Sequence, residues 1–190
     1  MPATALDPKT ALVVIDLQKG LSAYPVVHPM AGVVANARRL ADAFRAADLP
    51  VVLVTVAFSP DGRDALQPRA EVKRTLAMPP GFSDVVPELE GGAEDLRITK
   101  RQPNAFYGTE LDLQLRRRHV TGIVLVGVST SIGVDGTARA AHERGYNVTF
   151  AVDAMTDIDA GLHETITTKI FPRLGELDTT DAILALVSRR

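Results

Sequence analysis

Ile123-Val-Leu-Val-Gly-Val128 runs without a break into Ser129-Thr-Ser-Ile-Gly133 and then into Val134–Arg144, and this stretch decides the fold. The first piece is short and apolar throughout, without the alternation of a strand that has one wet face. It reads as a strand buried on both sides. The last piece has helical periodicity and stops at Gly145, a residue suited to a helix C-terminus. Buried strands that feed helices belong to parallel sheets covered on both faces. In the turn between them, backbone N–H groups and the helix entry face the same way, which suits an oxyanion or a ligand carboxylate. Gly133 would let a ligand approach the backbone closely. A tight strand–helix turn with no ligand is the alternative.

Outward from this stretch the same alternation continues. Upstream, Ala11–Ile15 (ALVVI) is an apolar run ending at Asp16. Met30–Ala47 sets Val33, Ala37, Leu40, Ala41 and Phe44 on one helical face. Val51–Val56 and Leu96–Thr99 read as strands, the second leading into Lys100, and Glu110–Arg118 reads as a helix with Thr109 as N-cap. Downstream come a strand at Val148–Val152, a helix at Gly161–Ile170, a weak strand at Gly175–Leu177 and a helix at Thr180–Val187. The expected fold class is α/β: a Rossmann-like three-layer α/β/α arrangement. Phe58 to Gly92 breaks the rhythm with Pro60, Pro68, Pro79, Pro80 and Pro87. A loop this long is usually a lid or otherwise functional; a solvated excursion with short helical turns is the other reading.

The bulk numbers narrow the function. At 190 residues the chain fits one domain, 1–190. The net charge is −2 with dispersed basic residues, so no nucleic-acid footprint is present. No run approaches the ~18 apolar residues of a membrane span, and Met1–Thr10 does not look like a signal segment. The expected location is cytoplasmic. The chain contains no cysteine, which rules out disulfides, thiolate zinc sites and a cysteine nucleophile.

In open parallel sheets, ligands bind at the carboxyl ends of the strands. That topology brings Asp16, Lys100 and Ser129–Gly133 together. A charge directly after a buried run needs a partner or a site, and Asp16 and Lys100 would satisfy each other. A purely structural ion pair is the competing reading. His28, His119, His142 and His163 are scattered without metal-ligand spacing, so each reads as a surface or packing residue and no metal is expected.

The segments VVIDLQ (Val13–Gln18), TKRQPNAFYGTELD (Thr99–Asp112) and GVSTSIGVDGTARAAHERGY (Gly127–Tyr146) together resemble the isochorismatase-like hydrolase family, also called the cysteine hydrolase family. The resemblance implies a six-stranded parallel sheet with helices on both faces, and it implies no cofactor. In most of that family an Asp, a Lys and a Cys attack an amide carbon. Asp16 and Lys100 match the first two, while Gly133 occupies the Cys position. True isochorismatases similarly carry glycine there and cleave a vinyl ether with water. No Asp-x-His, the metal motif of the nicotinamidase branch, occurs in this chain. The resemblance also places a non-proline cis peptide at Val128–Ser129. The candidate substrate-binding residues are Gln18, Phe106, Val128, Ser129 and Ile132, with Phe106, which matches a pocket-lining aromatic of the family, equally readable as core. Gln102 and Arg63 are further candidates to meet a polar or anionic substrate.

The expected function is hydrolysis of a small enol ether of the isochorismate type, with Asp16 as general acid. The rivals are an amide or ureido hydrolase using Ser129 or water, and a non-catalytic member of the family. The expected partners are a small-molecule substrate and copies of the chain itself, as a dimer or tetramer.

Overall fold

The computed structural model describes residues 2–71 and 78–189. Six strands form one parallel sheet in the order β3-β2-β1-β4-β5-β6: β1 Thr10–Ile15, β2 Val51–Val56, β3 Leu96–Lys100, β4 Gly122–Val128, β5 Asn147–Thr156 and β6 Gly175–Asp178. The helices are α1 Lys19–Ser22, α2 Met30–Ala46, α3 Leu111–Arg117, α4 Asp135–Glu143, α5 Ala160–Thr165 and α6 Thr180–Val187. The chain has the expected three-layer α/β architecture.

The apolar runs dictate which face each helix covers. Alternate residues of a strand point to opposite faces. Leu12 and Val14 of β1 join Val124 and Val126 of β4 beneath α2 and α6. Ala11, Val13 and Ile15 join Ile123 and Leu125 beneath α3 and α4. The two central strands are buried along their whole length. α2 buries Val33, Val34, Ala37, Leu40, Ala41 and Phe44, the expected stripe with Val34 added.

Three elements depart from the sequence reading. The helix after β4 starts at Thr130, not Val134, because a π turn over Thr130–Val134 precedes α4. β5 runs on to Thr156, past the expected end at Val152, with a register shift against β4 between Leu125 and Gly127. The helix expected over Gly161–Ile170 is α5 followed by a second π turn, Ile166–Ile170. Smaller shifts bring α3 to Leu111–Arg117, where the Thr109 hydroxyl accepts from the Leu111 N–H.

The long segment after β2 is not one loose loop. Phe82, Val85, Val86 and Leu89 are buried, and Pro87–Leu89 forms a 3-10 turn. Residues 72–77, within the stretch read as a lid, lie outside the described residues. No helix among the described residues is long and apolar enough to cross a membrane.

Candidate active site

The strand order reverses between β1 and β4, since β2 and β3 lie to one side and β4 to β6 to the other. Crevices at such switch points, beyond the carboxyl ends of the strands, are where open α/β sheets bind ligands. Asp16 follows β1 at this point, and the Ser129–Gly133 turn follows β4.

Asp16 leaves the strand with a left-handed backbone, φ +54°. Aspartate tolerates this conformation better than most residues. Its N–H donates to Val54 O, and its carbonyl accepts from the Gln18 N–H, both at 2.9 Å. Lys100, the last residue of β3, reaches across β2 to place Nζ 2.7 Å from Asp16 Oδ2. Both side chains are buried, 3% and 7% exposed. Asp16 Oδ1 is buried as well and has no hydrogen-bond partner among the described residues. Burial pushes the carboxyl up to about 6, against Lys100, which pulls it down by charge and hydrogen bond. A carboxyl raised this far is mostly ionised at pH 7 but keeps a protonated fraction that a general acid can use.

Gly133 closes the third side. A Cβ built on it would lie 3.2 Å from Asp16 Oδ2, 2.9 Å from Ile15 Cγ2 and 3.1 Å from Val128 O. The space beside the carboxyl is therefore shaped for a residue without a side chain. The Val128–Ser129 peptide is cis, where the resemblance placed one. Ser129 and Ile132 are half-buried, and Val128 is buried beneath the turn.

The open nest expected in this turn is already partly filled. Ser131 N–H donates to Asp157 Oδ2 at 2.6 Å, while Ile132 and Val134 N–H donate to Ser129 O. Asp157 is fully buried, and its Oδ1 accepts from the Ile158 N–H at 2.8 Å. An oxyanion at Ser131 would have to displace a carboxylate of this chain. Thr137 fixes the other end of the turn: its hydroxyl donates to Gly133 O and accepts from the Ala105 N–H.

Several expected substrate-binding residues are engaged elsewhere. Gln18 is completely buried. Its amide donates to Val56 O at 3.0 Å and Phe82 O at 2.9 Å and accepts from Val56 N–H at 2.8 Å, so it clamps β2 to the following segment. Phe106 packs in the core against Tyr146, with Arg144 over its ring. The Gln102 amide donates to Tyr107 O and shapes its own loop. Arg63 is 87% exposed and paired with Asp61. Asp64, unremarked in the sequence, ties this segment to the neighbour of Lys100 through Arg101 Nε at 2.6 Å. That contact first, with the Ser59 N–H, holds Asp64 at about 2.

The fold is a three-layer α/β sheet with a buried acid–lysine pair at its switch point. A family model described as the isochorismatase domain matches residues 10–182, and the chain belongs to the isochorismatase family. It is 44% identical over 182 residues to the isochorismatase family protein YwoC of Bacillus subtilis, covering 94% of both chains. It is 42% identical over 177 residues to the isochorismatase family protein YecD of Escherichia coli O157:H7, covering 92% of this chain and 94% of that one. A solved isochorismatase family protein from Burkholderia thailandensis superimposes with a TM-score of 0.93 at 41% identity, covering 97% of this chain and 98% of that one.

Proposed function

We propose that this isochorismatase-family hydrolase cleaves a small enol ether of the isochorismate type, without a cofactor, using Asp16 as proton donor. One observation carries the reading: Asp16 is buried, holds Lys100 on Oδ2 and keeps Oδ1 without a partner. An acid in that setting can hold its proton on the oxygen that Lys100 leaves open.

The chemistry asks for little more. Asp16 delivers its proton to the terminal carbon of the enol ether, and the alkene electrons form the new C–H bond. The remaining carbon becomes an oxocarbenium ion, which water captures while its proton returns to the Asp16 carboxylate, giving a hemiketal. Collapse of the hemiketal breaks the ether C–O bond and releases pyruvate and a dihydroxy-cyclohexadiene carboxylate. Lys100 steadies the carboxylate that Asp16 becomes, which makes the proton available without leaving a bare buried charge. Gly133 lets the turn close directly against the acid, where a Cβ would lie 3.2 Å from Asp16 Oδ2, and Ser129 and Ile132 of the same turn are half-buried.

The test is incubation with isochorismate and, separately, with a panel of small amides and ureido acids. Pyruvate and ammonia are followed in parallel. Pyruvate from isochorismate with no ammonia from the panel is the expected result. Ammonia without pyruvate would assign the chain to amide chemistry, and silence on every compound would remove the catalytic reading.

A further inference from the structure

The cavity bordered by α2, β5 and β6 plays no part in the reaction proposed above. It has a volume of about 680 Å3, and its lining includes Val33, Val152 and Leu177, with His28 and His163 together. The two imidazoles meet edge to face, with centroids 4.7 Å apart. The volume falls in the usual range for small-molecule sites, ~300–1,000 Å3. Neither Asp16, Lys100 nor Gly133 lines it.

The buried hydroxyl partners of the two imidazoles set their tautomers. Thr156 is fully buried, and its Oγ1 accepts from the His28 N–H at 3.1 Å. The same oxygen lies 3.1 Å from His28 Nδ1. A buried hydroxyl proton needs an acceptor, so Thr156 donates to Nδ1, and His28 carries its hydrogen on Nε2. Thr130, also fully buried, donates its hydroxyl proton to Thr156 O at 3.1 Å. Its oxygen is then the acceptor for His163 Nδ1 at 2.9 Å, which leaves a lone pair on His163 Nε2. Burial first, and then the neighbouring His28, lower His163 from the ordinary histidine value despite Asp157, which favours the neutral ring.

The two histidines that line the cavity thus carry one imidazole donor and one imidazole acceptor, and neither Nε2 has a hydrogen-bond partner among the described residues. Its two carboxylates are engaged: Asp153 accepts from Thr180, and Asp178 accepts from the Ala3 and Thr179 N–H groups. No lysine or arginine among the described residues lines it. A carboxylate ligand would meet a lone pair and two acidic side chains with no cation to balance them.

We propose that this cavity is a second ligand site, for a small uncharged molecule that presents a hydrogen-bond donor beside an acceptor on an apolar body. A primary carboxamide is the simplest case: its N–H donates to His163 Nε2, its carbonyl accepts from His28 Nε2–H, and its body lies against Val33, Val152 and Leu177.

The test is isothermal titration of the full chain at pH 8 with benzamide, benzoate and benzylamine, three probes of one shape and three charges. Saturable benzamide binding, at least tenfold tighter than either charged probe, is expected. His163→Leu and His28→Leu, each checked for folding by circular dichroism, should each weaken it at least tenfold, and Asp16→Asn should leave it unchanged. The proposal is overturned by equal or tighter binding of a charged probe, by no saturable benzamide binding, by indifference to both histidine substitutions, or by loss in Asp16→Asn. Binding is read directly, so this failure is distinguishable from a failure of the proposed reaction.

Discussion

Lys100 Nζ sits 2.7 Å from Asp16 Oδ2, while Oδ1 of the same buried carboxyl meets no partner among the described residues. The pair is thus lopsided, with one oxygen paired to the lysine and the other buried without a partner. Burial outweighs the lysine and raises the carboxyl to about 6.

The sign of the pH dependence follows. The active form is protonated Asp16, which predominates below about 6. The kcat/KM for the enol ether should be flat below that value and fall tenfold per unit above it. A pH-rate profile checks this, and a rate that rises through the same region would make Asp16 a base.

Lys100→Met separates the lysine's charge from its bulk. Lys100 lowers the Asp16 carboxyl, so its removal should move the descending limb of the profile to higher pH. Asp16→Asn should instead abolish turnover at every pH. Its amide oxygen can still accept from Lys100, so circular dichroism should show a folded protein.

Gly133→Ala asks whether the space beside the acid matters. The added methyl meets Ile15, Val128 O and Asp16 within 2.9–3.2 Å. Overpacking of this kind costs ~1–3 kcal/mol, to be read as a lowered denaturation midpoint. We expect turnover to fall at least a hundredfold while the protein still folds. Native activity in this variant would place the reacting atoms elsewhere.

Gln18→Leu tests the clamp. It leaves the Val56 N–H and the Val56 and Phe82 carbonyls without the Gln18 amide. Each buried group left unsatisfied costs ~1–3 kcal/mol, so chemical denaturation should show a loss of several kcal/mol. An unchanged midpoint would mean the amide is not structural.

Much of this was legible in the sequence because it depends on local pattern. The apolar runs at Ala11–Ile15 and Ile123–Val128 identify buried parallel strands, and topology then brings Asp16, Lys100 and Gly133 to one edge. The unread features depend on distant partners. Gln18 looks like a site residue beside Asp16, but its amide is held by backbone groups 38 and 64 positions away. Phe106 sits in a segment with family resemblance, yet Tyr146 and Arg144 draw it into the core. β5 outruns its apolar stretch because its continuation, from Val152 onward, extends past the part paired with β6 and carries the exposed Asp153. His28 and His163 are far apart in the chain, and only the packing of the segment before α2 against helix α5 brings their rings together.

Proton delivery from Asp16 to the terminal carbon of an enol ether leaves a mark in the product that can be measured. Turnover of isochorismate in deuterium oxide, with pyruvate reduced to lactate as it forms, records the transfer by mass spectrometry. One solvent deuterium in the lactate methyl group, with no product from Asp16→Asn, is the predicted result. Pyruvate formed without methyl deuterium, or at an undiminished rate in Asp16→Asn, would contradict it.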